Sequence, residues 1–171
     1  LYSKGFHAIQ SYRVAHHLWK RGLCPSALIM QAQMSKCFQV DIHPAAKLGC
    51  GLFLDHATCV VIGETAVVGN NVSLMQHVTL GGVGRLASKR HPTIRNGVLV
   101  AAGASIFGNI TVGEESQVGA CSQVFSNVHD GVTVVGVPAK PVDSNVSKSA
   151  FLPSLILEEG NPNSNCILHS D

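Results

Sequence analysis

From Ile42 to Val124 an aliphatic residue or alanine returns at every sixth position: Ile42, Leu48, Leu54, Val60, Ala66, Val72 and Val78, then Ile94, Val100, Ile106, Val112, Val118 and Val124. A period of six fits neither the 3.6-residue turn of a helix nor the alternation of a half-buried strand. It is the spacing of a hexapeptide repeat, in which each six-residue unit forms one side of a triangular β-helix and three units close one coil. The recurring side chains then point inward and stack from coil to coil, because a single coil has nothing against which to bury them. Glycine often follows the inward residue (Gly49, Gly113, Gly119), and the small residues Ala46, Thr58, Ala104, Ser116 and Ser122 recur four positions after it. Both habits suit tight corners. The predicted class is an all-β core, a β-helix of hexapeptide repeats, preceded by short α-helices.

Departures from the repeat divide the chain. Residues 4–21 read as an amphipathic helix with Phe6, Ile9, Val14, Leu18 and Trp19 on its apolar side, ending at Gly22. Pro25 suits the first turn of a second helix through Leu28, Ile29, Ala32 and Phe38. Residues 1–39 are therefore expected to cap the open first coil of a prism spanning 40–142. After Val78 the period fails and resumes sixteen residues later at Ile94, which places a loop at 81–93 with the sequence GGVGRLASKRHP at its heart. Loops on rigid scaffolds commonly carry function, and this one holds Arg90 and His91. Beyond Val142 serine, asparagine and proline dominate around the apolar cluster Phe151, Leu152, Leu155, Ile156 and Leu157, so 143–171 reads as a tail.

With 46% hydrophobic and 13% charged residues, most of the chain should be buried or paired with another copy of itself. A net charge of +2 gives no case for a nucleic-acid partner. No apolar run reaches the roughly 18 residues of a membrane span, and no signal peptide is visible. The six cysteines show no CxxC and no metal-ligand spacing, which predicts reduced thiols and a cytoplasmic protein. Because the chain starts at Leu1 without a methionine and almost at once enters a predicted helix, targeting segments upstream stay open.

Asp41, Asp55 and His56 lie near the start of the repeat. Asp41 and His56 are fifteen residues apart, three short of an eighteen-residue coil, which predicts that they approach at one corner on adjacent coils. A carboxylate beside an imidazole fixes its tautomer and steadies the imidazolium, as a histidine general base requires. Spacing alone leaves structural corner roles open for both. His43 and His77, also on the repeat, read as corner or interface histidines.

The motifs KGFHAIQSYRVAHHLW, FQVDIHPAAKLGCGLFLDHAT, VVIGETAVVGNNVSLMQHVTLGGVG, RHPTIRNGVLV and GVPAK resemble serine O-acetyltransferase, a hexapeptide-repeat acyltransferase of cysteine biosynthesis, from Leu1 to about Val142. The resemblance implies a left-handed β-helix, transfer of acetyl from acetyl-CoA to the L-serine hydroxyl, and no metal. It implies that His56 is the general base and Asp41 the carboxylate that orients it. Asp55 then holds the substrate ammonium, and Arg90 and His91 receive its carboxylate. Acetyl-CoA would lie between neighbouring prisms of a trimer, against backbone at Gly82, Ala102, Gly103 and Ala120, with Lys140 near the phosphates. Plainer readings are a solvated cation for Lys140 and a turn for Gly82.

The family further implies feedback inhibition by L-cysteine, a hexamer where a full N-terminal helical domain is present, and binding of O-acetylserine sulfhydrylase through a terminal isoleucine. This chain ends in Asp171, so weak or no sulfhydrylase binding is expected. Lys89 stands where the family usually has Asp, Cys59 and Cys121 replace glycines, and Ser105 replaces a frequent lysine. Other classes kept in view are an inactive partner- or CoA-binding homologue, another hexapeptide acetyltransferase, and a zinc-dependent carbonic anhydrase with histidines shared across an interface.

Overall fold

The computed structural model describes residues 3–84 and 88–142. Two helices, α1 (Lys4–Lys20) and α2 (Cys24–Phe38), lead into fifteen short strands. The strands stack into three sheets, one per side of a prism of about five coils. Side one orders β1 (Val40–Ile42), β4 (Val60–Ile62), β7 (Thr79–Gly81), β10 (Ser105–Phe107) and β13 (Gln123–Val124). Side two holds β2 (Lys47–Leu48), β5 (Val67–Val68), β8 (Thr93–Ile94) and β11 (Thr111–Val112). Side three runs from β3 (Phe53–Leu54) through β6 (Ser73–Leu74), β9 (Leu99–Val100), β12 (Gln117–Val118) and β14 (Thr133–Gly136) to β15 (Ala139–Pro141). Pairing is parallel except that β15 folds back antiparallel on β14. The predicted β-helix preceded by short helices is the fold observed.

The coil lengths correct the frame of the repeat. Val40 pairs with Val60 and Val61 with Thr79, steps of 20 and 18 residues; Thr79 pairs with Ser105, a step of 26. The first coil is thus two residues longer than its neighbour, and the pairing of Phe53 with Ser73 confines the surplus to 55–59. Beyond that corner the places equivalent to Ile42, Leu48 and Leu54 are Ile62, Val68, Leu74 and Leu80, not Val60, Ala66, Val72 and Val78. The period of six survives because each unit has two inward places two residues apart, both filled by apolar side chains in the second coil. Val60, Ala66, Val72 and Val78 take the place that Ala46 and Ala104 occupy in other coils, and all are buried. The insertion before Ile94 is correspondingly eight residues beyond a unit counted from Leu80.

The hairpin of helices caps the first coil, but with a different face from the one its sequence suggests. α1 buries Gly5, Ala8, Ile9, Tyr12 and Ala15, while Phe6 and Val14 are exposed. Small residues win this face because backbone meets backbone: a Cβ on Gly5 would strike Leu54. The Tyr12 hydroxyl donates to the Ala46 carbonyl at 2.5 Å, and burial pushes its pKa up to about 12. Arg13 donates to the carbonyls of Leu48 and Gly49, satisfying acceptors that the open end of the prism would otherwise leave unpaired. α2 buries Ala27 and Met34 and leaves Leu28 and Ile29 exposed.

Cys24, Cys37, Cys59 and Cys121 are free thiols, whereas Cys50 is disulfide-bonded, against the expectation that all six are reduced. Spacing along the chain carries no information about which thiols meet in space. The apolar cluster expected in the tail lies outside the described residues. Among those described, no helix is long and apolar enough to cross a membrane.

Candidate active site

His56 stands on the corner widened by two residues, between side three and side one. The corner turns through left-handed backbone at His56 (φ 55°), Ala57 (φ 59°) and Cys59 (φ 58°), a region that costs non-glycine residues about 1 kcal/mol or more each. Backbone bonds pin both ends: Asp55 N–H donates to the Leu74 carbonyl at 3.0 Å and Cys59 N–H to the Gln39 carbonyl at 2.7 Å. The surplus chain between these pins bulges outward. Ala57 stays fully buried beneath it, and the His56 side chain is left 73% exposed. The Lys4 ammonium reaches from α1 to the Thr58 hydroxyl at 2.5 Å, tying the cap to this corner. Sequence reasoning missed that tie, since nothing in the pattern relates positions 54 residues apart.

The carboxylate facing His56 is Asp55, at 3.6 Å from Nε2. Asp41, on the outward side of β1, accepts instead from the Gln31 amide of α2 at 2.6 Å. Among the described residues Asp41 and His56 therefore make no hydrogen bond to each other. Ala102, Gly103 and Ala120 continue the same corner. His77 N–H bonds the Thr58 carbonyl, Gly103 N–H the Gln76 carbonyl and Cys121 N–H the Ala102 carbonyl, at 2.7, 3.0 and 2.8 Å. Gly103 has φ 72°, and a Cβ there would sit 3.2 Å from the Cys121 sulfur. Cys59, His77 and Cys121 hold the left-handed place of this column that glycine fills at Gly103. Lys140 lies exposed on β15, paired in register with Val135.

Arg90 and His91 stand at the opposite edge of side one, where the loop leaves after β7. Val83 N–H closes the loop base on the Arg90 carbonyl at 3.0 Å. Thr65 is the anchor: its hydroxyl oxygen accepts from the N–H groups of Arg90 (3.0 Å) and His91 (3.1 Å). Thr65 N–H donates to His91 Nδ1 at 3.2 Å, and the hydroxyl lies 2.9 Å from the same nitrogen. An Nδ1 that accepts cannot carry the proton, so the neutral ring keeps it on Nε2. Burial, with Arg90 alongside, lowers the His91 pKa and favours that neutral form. The ring fits between two glycines: a Cβ on Gly63 would overlap it, and one on Gly82 would come within 2.8 Å of Nε2.

Glu64 completes this edge and was not anticipated. Its carboxylate meets the Arg90 guanidinium at 2.6 Å, and that hydrogen bond holds the Glu64 pKa below the usual carboxylate range. Arg90 is thereby aimed and its side chain is mostly buried, at 12% exposure. The signal was available in the GET triplet at 63–65. An acid at a solvent corner looks like surface until its partner, 26 residues on, is brought beside it. Lys89 turns the other way, donating to the Thr65 carbonyl at 2.9 Å and the Thr93 hydroxyl at 3.0 Å. His43, at the same edge one coil earlier, accepts from Ala45 N–H at 3.1 Å, and burial lowers its pKa.

The structure thus groups His56, Asp55, Ala102, Gly103 and Ala120 along one edge, and Gly82, Arg90 and His91 along the other. The strand between Cys59 and Gly63 separates them by about 13 Å at ~3.3 Å per residue.

No family model matches the chain. Curated relatives do match: serine acetyltransferase of Haemophilus influenzae is 52% identical over 152 residues, covering 88% of this chain and 57% of the relative. The Escherichia coli K12 serine acetyltransferase is 55% identical over 142 residues, covering 83% and 52%. The crystal structure of the Neisseria gonorrhoeae enzyme in complex with serine superposes with a TM-score of 0.80 at 55% identity, over 82% of this chain and 58% of that one. A serine acetyltransferase complex with cysteine gives 0.82 at 54% identity, over 83% and 59%. The chain shares both sequence and fold with the serine acetyltransferases. It spans a little over half the length of the curated relatives it matches.

Proposed function

We propose that the chain is the catalytic β-helix of a serine O-acetyltransferase, moving acetyl from acetyl-CoA to the L-serine hydroxyl. The observation that carries the reading is the widened corner, which spends two extra residues and three left-handed backbone positions to present one exposed histidine. An unprotonated His56 nitrogen takes the hydroxyl proton as the serine oxygen bonds to the thioester carbon. The carbon–sulfur bond then breaks and the imidazolium returns the proton to the departing CoA thiolate. Asp41, on exchanging the Gln31 amide for the His56 ring, serves as the orienting carboxylate, and Asp55, on turning from the ring, as the partner of the substrate ammonium. His91, a neutral Nε2–H donor, and Arg90, aimed by Glu64, receive the carboxylate. Acetyl-CoA lies along the edge of Ala102, Gly103 and Ala120, with Gly82 and Lys140 as further contacts.

Because the two groups stand on opposite edges of one side, a working site takes one edge from each of two copies, as a trimer of prisms provides. The outward Val61 between the edges and the exposed Phe125, stacked on Phe107 with centroids 5.7 Å apart, supply apolar surface for that contact. L-cysteine, which offers the same ammonium and carboxylate, competes with serine; solved relatives hold either amino acid.

The decisive experiment is thiol release from acetyl-CoA with and without L-serine, beside light scattering. Serine-dependent release from a trimer supports the reading. A monomer at micromolar concentration, or release indifferent to serine, sinks it.

A further inference from the structure

On side two, just past the corner that holds Arg90, a cleft of about 490 Å³ is lined by Ala45, Lys47, Glu64, Thr65, Val67 and Lys89 among others. Its charges do not balance. Glu64 is the acidic wall, but its carboxylate is taken by Arg90 at 2.6 Å. Among the described residues neither Lys47 nor Lys89 forms an ion pair. Both nevertheless reach the same side of the prism. Lys47, Val67 and Thr93 occupy consecutive rungs, and Thr93 is where the Lys89 ammonium is moored. Rungs are ~4.8 Å apart, so two long side chains anchored two rungs apart can close on one small ion between them. Lys89 uses two of its three N–H donors on Thr65 and Thr93, which leaves one for a ligand.

We propose that this cleft binds a compact oxyanion of the phosphate class, held between the Lys47 and Lys89 ammonium groups. Two point-like cations suit a tetrahedral anion, which offers an oxygen in each direction, better than a planar carboxylate, for which a guanidinium fork is the closer match. Burial and the neighbouring Lys47 both lower the Lys89 pKa, and an anion between the two ammonium groups would offset both effects. The ligand is not the amino-acid substrate, whose carboxylate is assigned to Arg90 and His91 round the corner.

The cleft is also coupled to that site through Thr65. Its carbonyl holds the Lys89 ammonium, while its hydroxyl holds the N–H groups of Arg90 and His91. An anion drawing Lys89 outward therefore pulls on the residue that sets the serine loop. The coupling rests on the proposed serine site; the binding does not.

Titration of the purified protein with inorganic phosphate, followed by ³¹P line broadening against sodium chloride at matched ionic strength, tests the site. Saturable binding near one ion per chain is expected, weakened about tenfold or more by Lys47→Ala and by Lys89→Ala, each charge-assisted contact being worth at least that factor. Melting curves of both variants should match wild type, which separates lost binding from lost folding. Phosphate should also shift the KM for serine in wild type and lose that effect in Lys47→Ala. Binding no stronger than the chloride control, or unchanged in both variants, overturns the site. So does competition by L-serine for the same ion, which would make the cleft part of the substrate pocket. If thiol release proved indifferent to serine while phosphate still bound, the serine reading would fail and the anion site would stand.

Discussion

The corner that carries His56 and the loop that carries Arg90 and His91 flank the same side of the prism, yet they are held by different means. At the corner the work is done by backbone: two surplus residues, pinned at both ends by ladder bonds, are pushed through left-handed φ values, and His56 itself is scarcely held. At the loop the work is done by side chains. Thr65 takes two N–H groups, Glu64 aims Arg90, and two glycines leave the slot for His91. A backbone device fixes where a reactive group emerges and leaves its rotamer free for substrate. A side-chain device fixes the direction of each donor beforehand, so that less freedom is lost when a carboxylate arrives. The difference fits the proposed tasks, in which His56 follows a moving proton and Arg90 and His91 receive a carboxylate in a fixed place.

The sharpest way to break this comparison is at the corner. His56→Ala should lower kcat by about 10²- to 10⁴-fold, the usual worth of a general base, with the KM for acetyl-CoA little changed. Asp41→Asn and Asp55→Asn should each cost less. If Asp41 acts through His56, the double variant with His56→Ala should be hardly worse than His56→Ala alone. Losses that multiply would release Asp41 from the mechanism and leave Asp55, which faces the ring at 3.6 Å, as the candidate.

Next in size are the clamp residues. Arg90→Ala should raise the KM for serine and the inhibition constant for L-cysteine together, by roughly 10- to 100-fold for a charge-assisted contact. Glu64→Gln, which keeps the shape but weakens the aim, should do the same to a smaller degree. Unchanged affinities in Arg90→Ala would misplace the pocket.

Gly63→Ala probes the slot without removing a functional group. Its methyl overlaps the His91 ring, so the ring must shift. Serine affinity should fall several-fold while kcat for saturating serine holds, the pattern of lost uniform binding. Wild-type affinity would show that His91 is not part of the clamp.

The smallest expected effect is a pH dependence of stability. Burial holds His43 and His91 below the ordinary histidine value of about 6.5, so on acidification the unfolded chain takes up protons first. Their contribution is therefore complete above about pH 6.5 and lost as pH falls through the lowered values. Melting temperature measured from pH 7.5 to 5 should decline, and less steeply in His91→Gln. An equal slope in that variant would mean that His91 is not held neutral by the fold.

The recurrence of inward residues was legible because it is a local property repeated many times: each unit must bury its own apolar side chain, so the chain itself records the period. The excursion before Ile94 was readable for the same reason, and the helices at 4–20 and 24–38 through the breakers Gly22 and Pro25 between them rather than through the faces they bury. The reactive residue types could be named because acid, base and guanidinium chemistry belongs to the side chain. Only the tertiary structure decided the rest. The two-residue surplus at 55–59 changes no local pattern, since Val60 and Ile62 are both inward and either frame looks regular; it shows only when Val40 is seen to pair with Val60. Likewise the cap buries Ala8 and Ala15 instead of Phe6 and Val14, because what faces inward depends on how closely the backbone of the first coil approaches. The His91 tautomer, the aim of Arg90 on Glu64 and the separation of the two edges depend on contacts between residues some 26 apart in sequence, and such distances are set by folding alone.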